Sequence, residues 1–138
     1  MTDGPIAVDT SVAVAMLLTS HEAHQRAAHW AGSRRLALCG HAVAETYSVL
    51  TRLPGDARLS TDDAVALIED RFEPRGGPPV DVEAGLPRTL AGTRIAGGAV
   101  YDAVVALAAV HAGLPLATRG ARARTTYEAV GVRVEIVD

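Results

Sequence analysis

The chain has 138 residues, 49% of them hydrophobic and 21% charged, which suffices for one buried core without disulfide or metal staples and excludes a disordered segment. A formal charge of −3 and an aromatic share of 4% argue against a protein that coats nucleic acid non-specifically or threads single strands along a row of stacking rings. All 13 basic residues are arginine, so chemistry that needs an ammonium, such as a Walker-type phosphate loop or a Schiff base, is excluded.

In chain order, Asp3 and Asp9 flank the first apolar run and no basic residue precedes it, so no secretory signal is expected. Residues 5–9 read as a strand ending on Asp9, followed by helices from about Ser11 to Leu18 and from His21 to Ala31. The polar setting of His21, His24 and His29 favours a solvated helix face over a zinc chelate. Leu36 to Cys39 is the next strand. Its single cysteine permits no internal disulfide, suits a reducing cytoplasm and reads as a small core residue.

A helix runs from His41 to Leu53, stopped by Pro54 and Gly55. The next begins at Ser60, with Asp63 at capping-box spacing and Val65, Leu67, Ile68 and Phe72 as its apolar positions. Residues 73–79, "EPRGGPP", read as a loop, 80–82 as a weak strand and 86–90 as a short helix. Gly97 and Gly98 precede the strongest helix, 100–112, which Gly113 ends as a C-cap. Asp102, His111 and Pro115 interrupt the apolar stretch from Ile95 to Ala117, so it reads as a buried helix and strand and not a membrane span. A strand at 114–118, a helix at 122–130 ended by Gly131 and a strand at 132–137 complete the chain. The alternation predicts a single α/β domain over residues 1–138 with a mainly parallel sheet of about five strands, its functional groups at the carboxyl ends of the strands.

Three acids lie in otherwise apolar surroundings: Asp9, Glu45 in "HAVAETYSVL" and Asp102 in "AVYDAVVALAAV". Each has a plain structural reading. Asp9 could N-cap the following helix, Glu45 could simply be exposed, and Asp102 could hold a helix start. Taken together they suggest converging carboxylates, which repel one another unless a hard cation neutralises them, and oxygen-only ligands point to Mg²⁺ or Mn²⁺. No G-x-G-x-x-G follows the first strand, which reads "DTSVAV", and no serine has a nucleophile-elbow setting.

In this order, "VDTSVAVAML", "HAVAETYSVL", "GGAVYDAVVALAAVHAGLPLATR" and "TTYEAVGVRVEIV" resemble the PIN-domain family, in particular its VapC-type toxin ribonucleases, over nearly the whole chain. The resemblance implies a Mg²⁺-dependent endoribonuclease, with Mn²⁺ as the substitute ion and Asp9, Glu45 and Asp102 as the catalytic metal ligands. It also implies that the Thr10, Ser11 and Thr118 hydroxyls orient the carboxylates. Arg119, Arg122 and Arg124 would rim the cleft and meet phosphate. Implied with these are a structured RNA substrate (transfer or ribosomal), a homodimer, a cognate VapB-type antitoxin and inhibition of translation and growth. Where the family often carries a fourth acid or an asparagine, two residues after Thr118, this chain has Gly120. The alternative is therefore a catalytically silent PIN domain that binds antitoxin or RNA.

Overall fold

Four parallel pairings hold the sheet, and its order puts the first strand at the centre. A computed structural model describes residues 4–138, so Asp3 lies outside the described residues. Strand β1 (Ile6–Val8) is buried at every position and leads through Asp9 into α1 (Thr10–Leu17) and α2 (His24–Ala31). Strand β2 (Leu36–Cys39) and helices α3 (His41–Thr51) and α4 (Thr61–Arg71) follow, then β3 (Phe72–Arg75). Two short helices, α5 (Val80–Ala84) and α6 (Leu86–Gly92), lead to the long α7 (Ala99–Ala112), β4 (Leu116–Thr118), α8 (Ala121–Val130) and β5 (Val134–Ile136).

The strand order is β3-β2-β1-β4-β5. The chain builds outward from β1 to β2 and β3, then returns to the other side of β1 for β4 and β5. A reversal of this kind opens a crevice beyond the carboxyl ends of the two strands that flank it, here β1 and β4. Asp9 follows β1 directly and Thr118 ends β4, so both stand at that crevice.

The core is built largely from small side chains. Ala13, Ala15, Ala27, Ala31, Ala42, Ala103, Ala106 and Ala109 are all buried, which lets the helices sit close to the sheet. Gly40, between β2 and α3, has φ +53, and a Cβ there would meet the Ala108 side chain at 3.0 Å and the Gly77 backbone at 3.3 Å. Only glycine fits both the dihedral and the space. Gly113 ends α7 in the left-handed region, as expected. Cys39 is wholly buried, and burial pushes its thiol up to about 11, in keeping with a core role.

Two expected elements exchange roles. Residues 73–79 are not all loop, because 72–75 form the edge strand β3 in register with β2, Phe72 opposite Leu36 and Arg75 opposite Cys39. Pro74 is tolerated there because an edge strand leaves one side without ladder partners. Glu73 accepts from Arg35 at 2.9 Å and from Arg75 at 3.0 Å, which holds the edge. Residues 80–82 are helix and not strand: Pro79 enters α5, Asp81 and Glu83 suit its first turn, and Val80 is 83% exposed. The capping hydroxyl of Ser60 accepts from the Asp63 N–H at 3.1 Å, yet the buried position of α4 is Ala64, and Val65 turns outward.

His21 and His24 serve the connection between α1 and α2. The Ala23 N–H donates to His21 Nδ1 at 3.0 Å, and His24 Nδ1 bonds the Ala15 carbonyl at 3.0 Å. These imidazoles fix local backbone. Among the described residues no helix is long and apolar enough to cross a membrane.

Candidate functional site

Asp9 follows a buried strand and is itself only 6% exposed, so its carboxylate must find partners inside the protein. It finds three donors. Ser11 Oγ donates to Oδ1 at 2.6 Å, the Val12 N–H reaches the same oxygen at 3.2 Å, and Tyr127 Oη donates to Oδ2 at 2.8 Å. The N-cap reading of Asp9 therefore holds, and it accounts for one oxygen only.

Ser11 is itself anchored, since its Oγ accepts from the Arg119 N–H at 3.0 Å and so ties the start of α1 to the chain beyond β4. Thr118 Oγ1 accepts from the Gly120 N–H at 3.0 Å and fixes the turn into α8. The Thr10 and Thr46 hydroxyls meet at 3.2 Å in the core and link α1 to the turn of α3 that carries Glu45.

One pocket of about 150 Å³ is lined by Asp9, Thr10, Ser11, Glu45, Asp102 and Thr118, with His41, Tyr101, Gly120 and Tyr127 also in its wall beside the apolar Val105 and Ala123. Glu45 is exposed, and Asp102 is half-buried in the first turn of α7. Burial, followed by the negative charges of Asp9 and Glu45, holds the Asp102 carboxyl above the usual carboxylate range, with His41 opposing. The Tyr127 hydroxyl is likewise pushed above the ordinary phenol range, first by burial and then by the charge of Asp9, so it stays protonated and donates.

Among the described residues no three acidic, histidine or cysteine side chains close on one point. The acids face a shared space large enough for an ion with several waters. An all-oxygen set with charge repulsion of this kind fits a hard divalent cation, which usually rests on one or two carboxylates and keeps waters for a substrate to displace.

Of the three expected arginines, none lines the pocket. Arg119 is half-buried and its Nε is buried with no hydrogen-bond partner among the described residues; Arg122 is exposed; Arg124 pairs with Glu128 at 3.3 Å. Gly120 does line it, and a Cβ there would meet only ordinary contacts at 3.7 Å. Tyr127, His41, Tyr101 and Thr46 were not among the expected site residues. For Tyr127 a signal existed, because a buried tyrosine normally requires a partner for its hydroxyl.

The chain belongs to the PIN domain family, whose match covers residues 6–129. It is 53% identical over 132 residues to ribonuclease VapC27 of Mycobacterium tuberculosis, covering 96% of each chain. Ribonuclease VapC40 of the same species is 43% identical over 134 residues, covering 96% of this chain and 98% of the relative. Among solved structures, that of VapBC2 from Rickettsia felis bound to a DNA fragment from their promoter superposes with a TM-score of 0.69 at 13% identity, covering 98% of this chain and all of the other, a likeness of fold.

Proposed function

We infer that this chain is the ribonuclease toxin of a toxin–antitoxin pair, a VapC-type PIN endonuclease occupying the whole of residues 1–138. The observation that carries the reading is that Asp9, Glu45 and Asp102, from three separate elements, line one pocket at the β1/β4 crevice. The named relatives, similar over nearly their full lengths, support the ribonuclease activity.

In this proposal Asp9, Glu45 and Asp102 hold a divalent cation, Mg²⁺ with Mn²⁺ as substitute. When bound, that ion would acidify a water, orient it in line with a phosphodiester and neutralise charge on the leaving oxygen. The protein's own part is positioning. Ser11 and Tyr127 fix the plane of the Asp9 carboxylate, Thr10 steadies the helix bearing Glu45, and Thr118 shapes the turn at Gly120. Arg119 and Arg122 would meet phosphates of a structured RNA, transfer or ribosomal, more readily than Arg124, which Glu128 already engages. We further propose a cytoplasmic homodimer silenced by a VapB-type antitoxin, its toxicity arising from blocked translation.

Purified chain incubated with cellular RNA and Mg²⁺ is expected to yield discrete fragments that disappear with EDTA and with Asp102→Asn. One observation favours a second reading, a silent binding domain: Gly120 gives the pocket wall no side-chain ligand. RNA left intact by folded, antitoxin-free protein across a range of metal concentrations would decide for it.

A further inference from the structure

Among the Trp, Phe and Tyr residues, only Tyr101 is exposed, at 59%; Phe72 and Tyr127 are buried, and Trp30 and Tyr47 half-buried. An aromatic ring left in water loses the stabilisation that burial would bring. Its location is specific. Tyr101 immediately precedes Asp102 and stacks on His41, ring centroids 5.1 Å apart and planes 29° from parallel. His41 opens α3 one turn before Glu45. The two rings therefore come from the same two helices as two of the acids, and both line the acid pocket.

His41 also borders a second, more open cleft of about 640 Å³ lined by Gly40, Arg75, Gly76, Gly77 and Glu83. Backbone at Gly76 is unobstructed, with nothing within 4 Å of where a Cβ would stand. His41 thus stands between a pocket suited to a phosphate-bound cation and a cleft that holds three glycines and Arg75, whose guanidinium pairs with Glu73. His41 is common to both cavities, and Tyr101 stacks against it.

We propose that His41 and Tyr101 form a stacking platform for an unpaired RNA base beside the phosphate that is cut, an inference that rests on the ribonuclease reading above. Every base has a π face, so the platform selects an unstacked nucleotide, as found in loops, over a paired one and not one base over another. A low aromatic content does not oppose this, because a single cleavage position needs one platform and not a row of them.

The test measures affinity by fluorescence anisotropy with a short oligouridine and with an abasic strand of equal length, in Ca²⁺ to limit hydrolysis. Tyr101→Ala and Tyr101→Leu are expected to weaken oligouridine binding by about tenfold or more and leave the abasic strand unaffected, with Tyr101→Phe restoring the native value. A 5-iodouracil in the strand is expected to crosslink to Tyr101 under light. Because Tyr101 is largely exposed, its truncation does not threaten folding. Equal weakening of both strands, native affinity in Tyr101→Ala, or no oligouridine binding by the native chain would each overturn the platform. Fragments from cellular RNA in Mg²⁺ would leave the ribonuclease reading standing in all three cases. Tyr101-dependent binding without cleavage would uphold the platform and overturn hydrolysis.

Discussion

The acid pocket has two unlike walls. On the side of β1, β4 and α8, polar atoms are tied down: Asp9 by Ser11, Val12 and Tyr127, Ser11 by the Arg119 amide, Thr118 by the Gly120 amide. On the side of α3 and α7, Glu45 is exposed, Asp102 is uncomfortably charged, and Tyr101 is open. The bound wall sets one carboxylate in place before any ligand arrives, while the free wall leaves two that can adjust to a ligand. Preorganisation on one side limits what must be ordered on binding, and slack on the other lets water and phosphate enter and leave.

The contrast is sharpened most by removing a charge from each wall. Asp9→Asn and Asp102→Asn are both expected to lower RNA cleavage by more than about 100-fold, since each removes a proposed ligand, where even supporting contacts are worth 10- to 100-fold. Stability should separate them. Asp9→Asn disturbs a buried carboxylate that accepts three hydrogen bonds and should lower the melting temperature, whereas Asp102→Asn relieves repulsion and should leave it level or raised in EDTA. Equal destabilisation by the two changes would remove the distinction between the walls.

Tyr127→Phe tests how much the bound wall owes to one hydroxyl. The ring still fills its site, but Oδ2 of Asp9 loses its donor inside the protein, at a cost of about 1–3 kcal/mol. Mn²⁺ affinity, read by calorimetry, should fall by about 10-fold or more as the carboxylate plane loosens. Unchanged Mn²⁺ binding with unchanged melting would mean that Ser11 and Val12 suffice. Glu45→Gln, on the exposed wall, should alter Mn²⁺ affinity with no measurable change in melting.

The two walls also differ in how far the sequence discloses them. Glu45 and Asp102 stand out because an acid among alanines and valines on a helix is conspicuous, and Asp9 because it ends an apolar strand. The partners of Asp9 are less visible. Ser11 lies two residues away and is local, but Tyr127 lies 118 residues on, and only the sheet order brings α8 over β1. The same limit explains the exchanged elements. Proline and glycine in 73–79 read as loop because local signals do not say that an edge position tolerates them, and an apolar triplet at 80–82 reads as strand until Pro79 and the acids of the first turn are weighed. The long helix at 99–112, the strand at 36–39 and both glycine C-caps needed no tertiary information, since their patterns are complete in themselves.

Gly120 is where the bound wall lacks a side chain, and filling it gives the smallest of these effects. Its φ of −98 suits any residue, it occupies the N-cap position of α8 without a side-chain cap, and a Cβ there meets Ala123 and Thr118 at 3.7 Å. Aspartate would therefore fit. It should add a capping interaction of about 0.5–2 kcal/mol. The same carboxylate would face a pocket already lined by Asp9, Glu45 and Asp102, and repulsion there should cancel much of that gain in EDTA. With Mg²⁺ the repulsion becomes attraction, so Gly120→Asp should melt close to the native chain in EDTA and gain more on adding Mg²⁺ than the native chain does, by the linkage between binding and stability. An equal Mg²⁺ gain in both chains would mean that position 120 does not face the ion, and the pocket would then be complete as the native sequence has it, with a glycine turn where a fourth ligand is not needed.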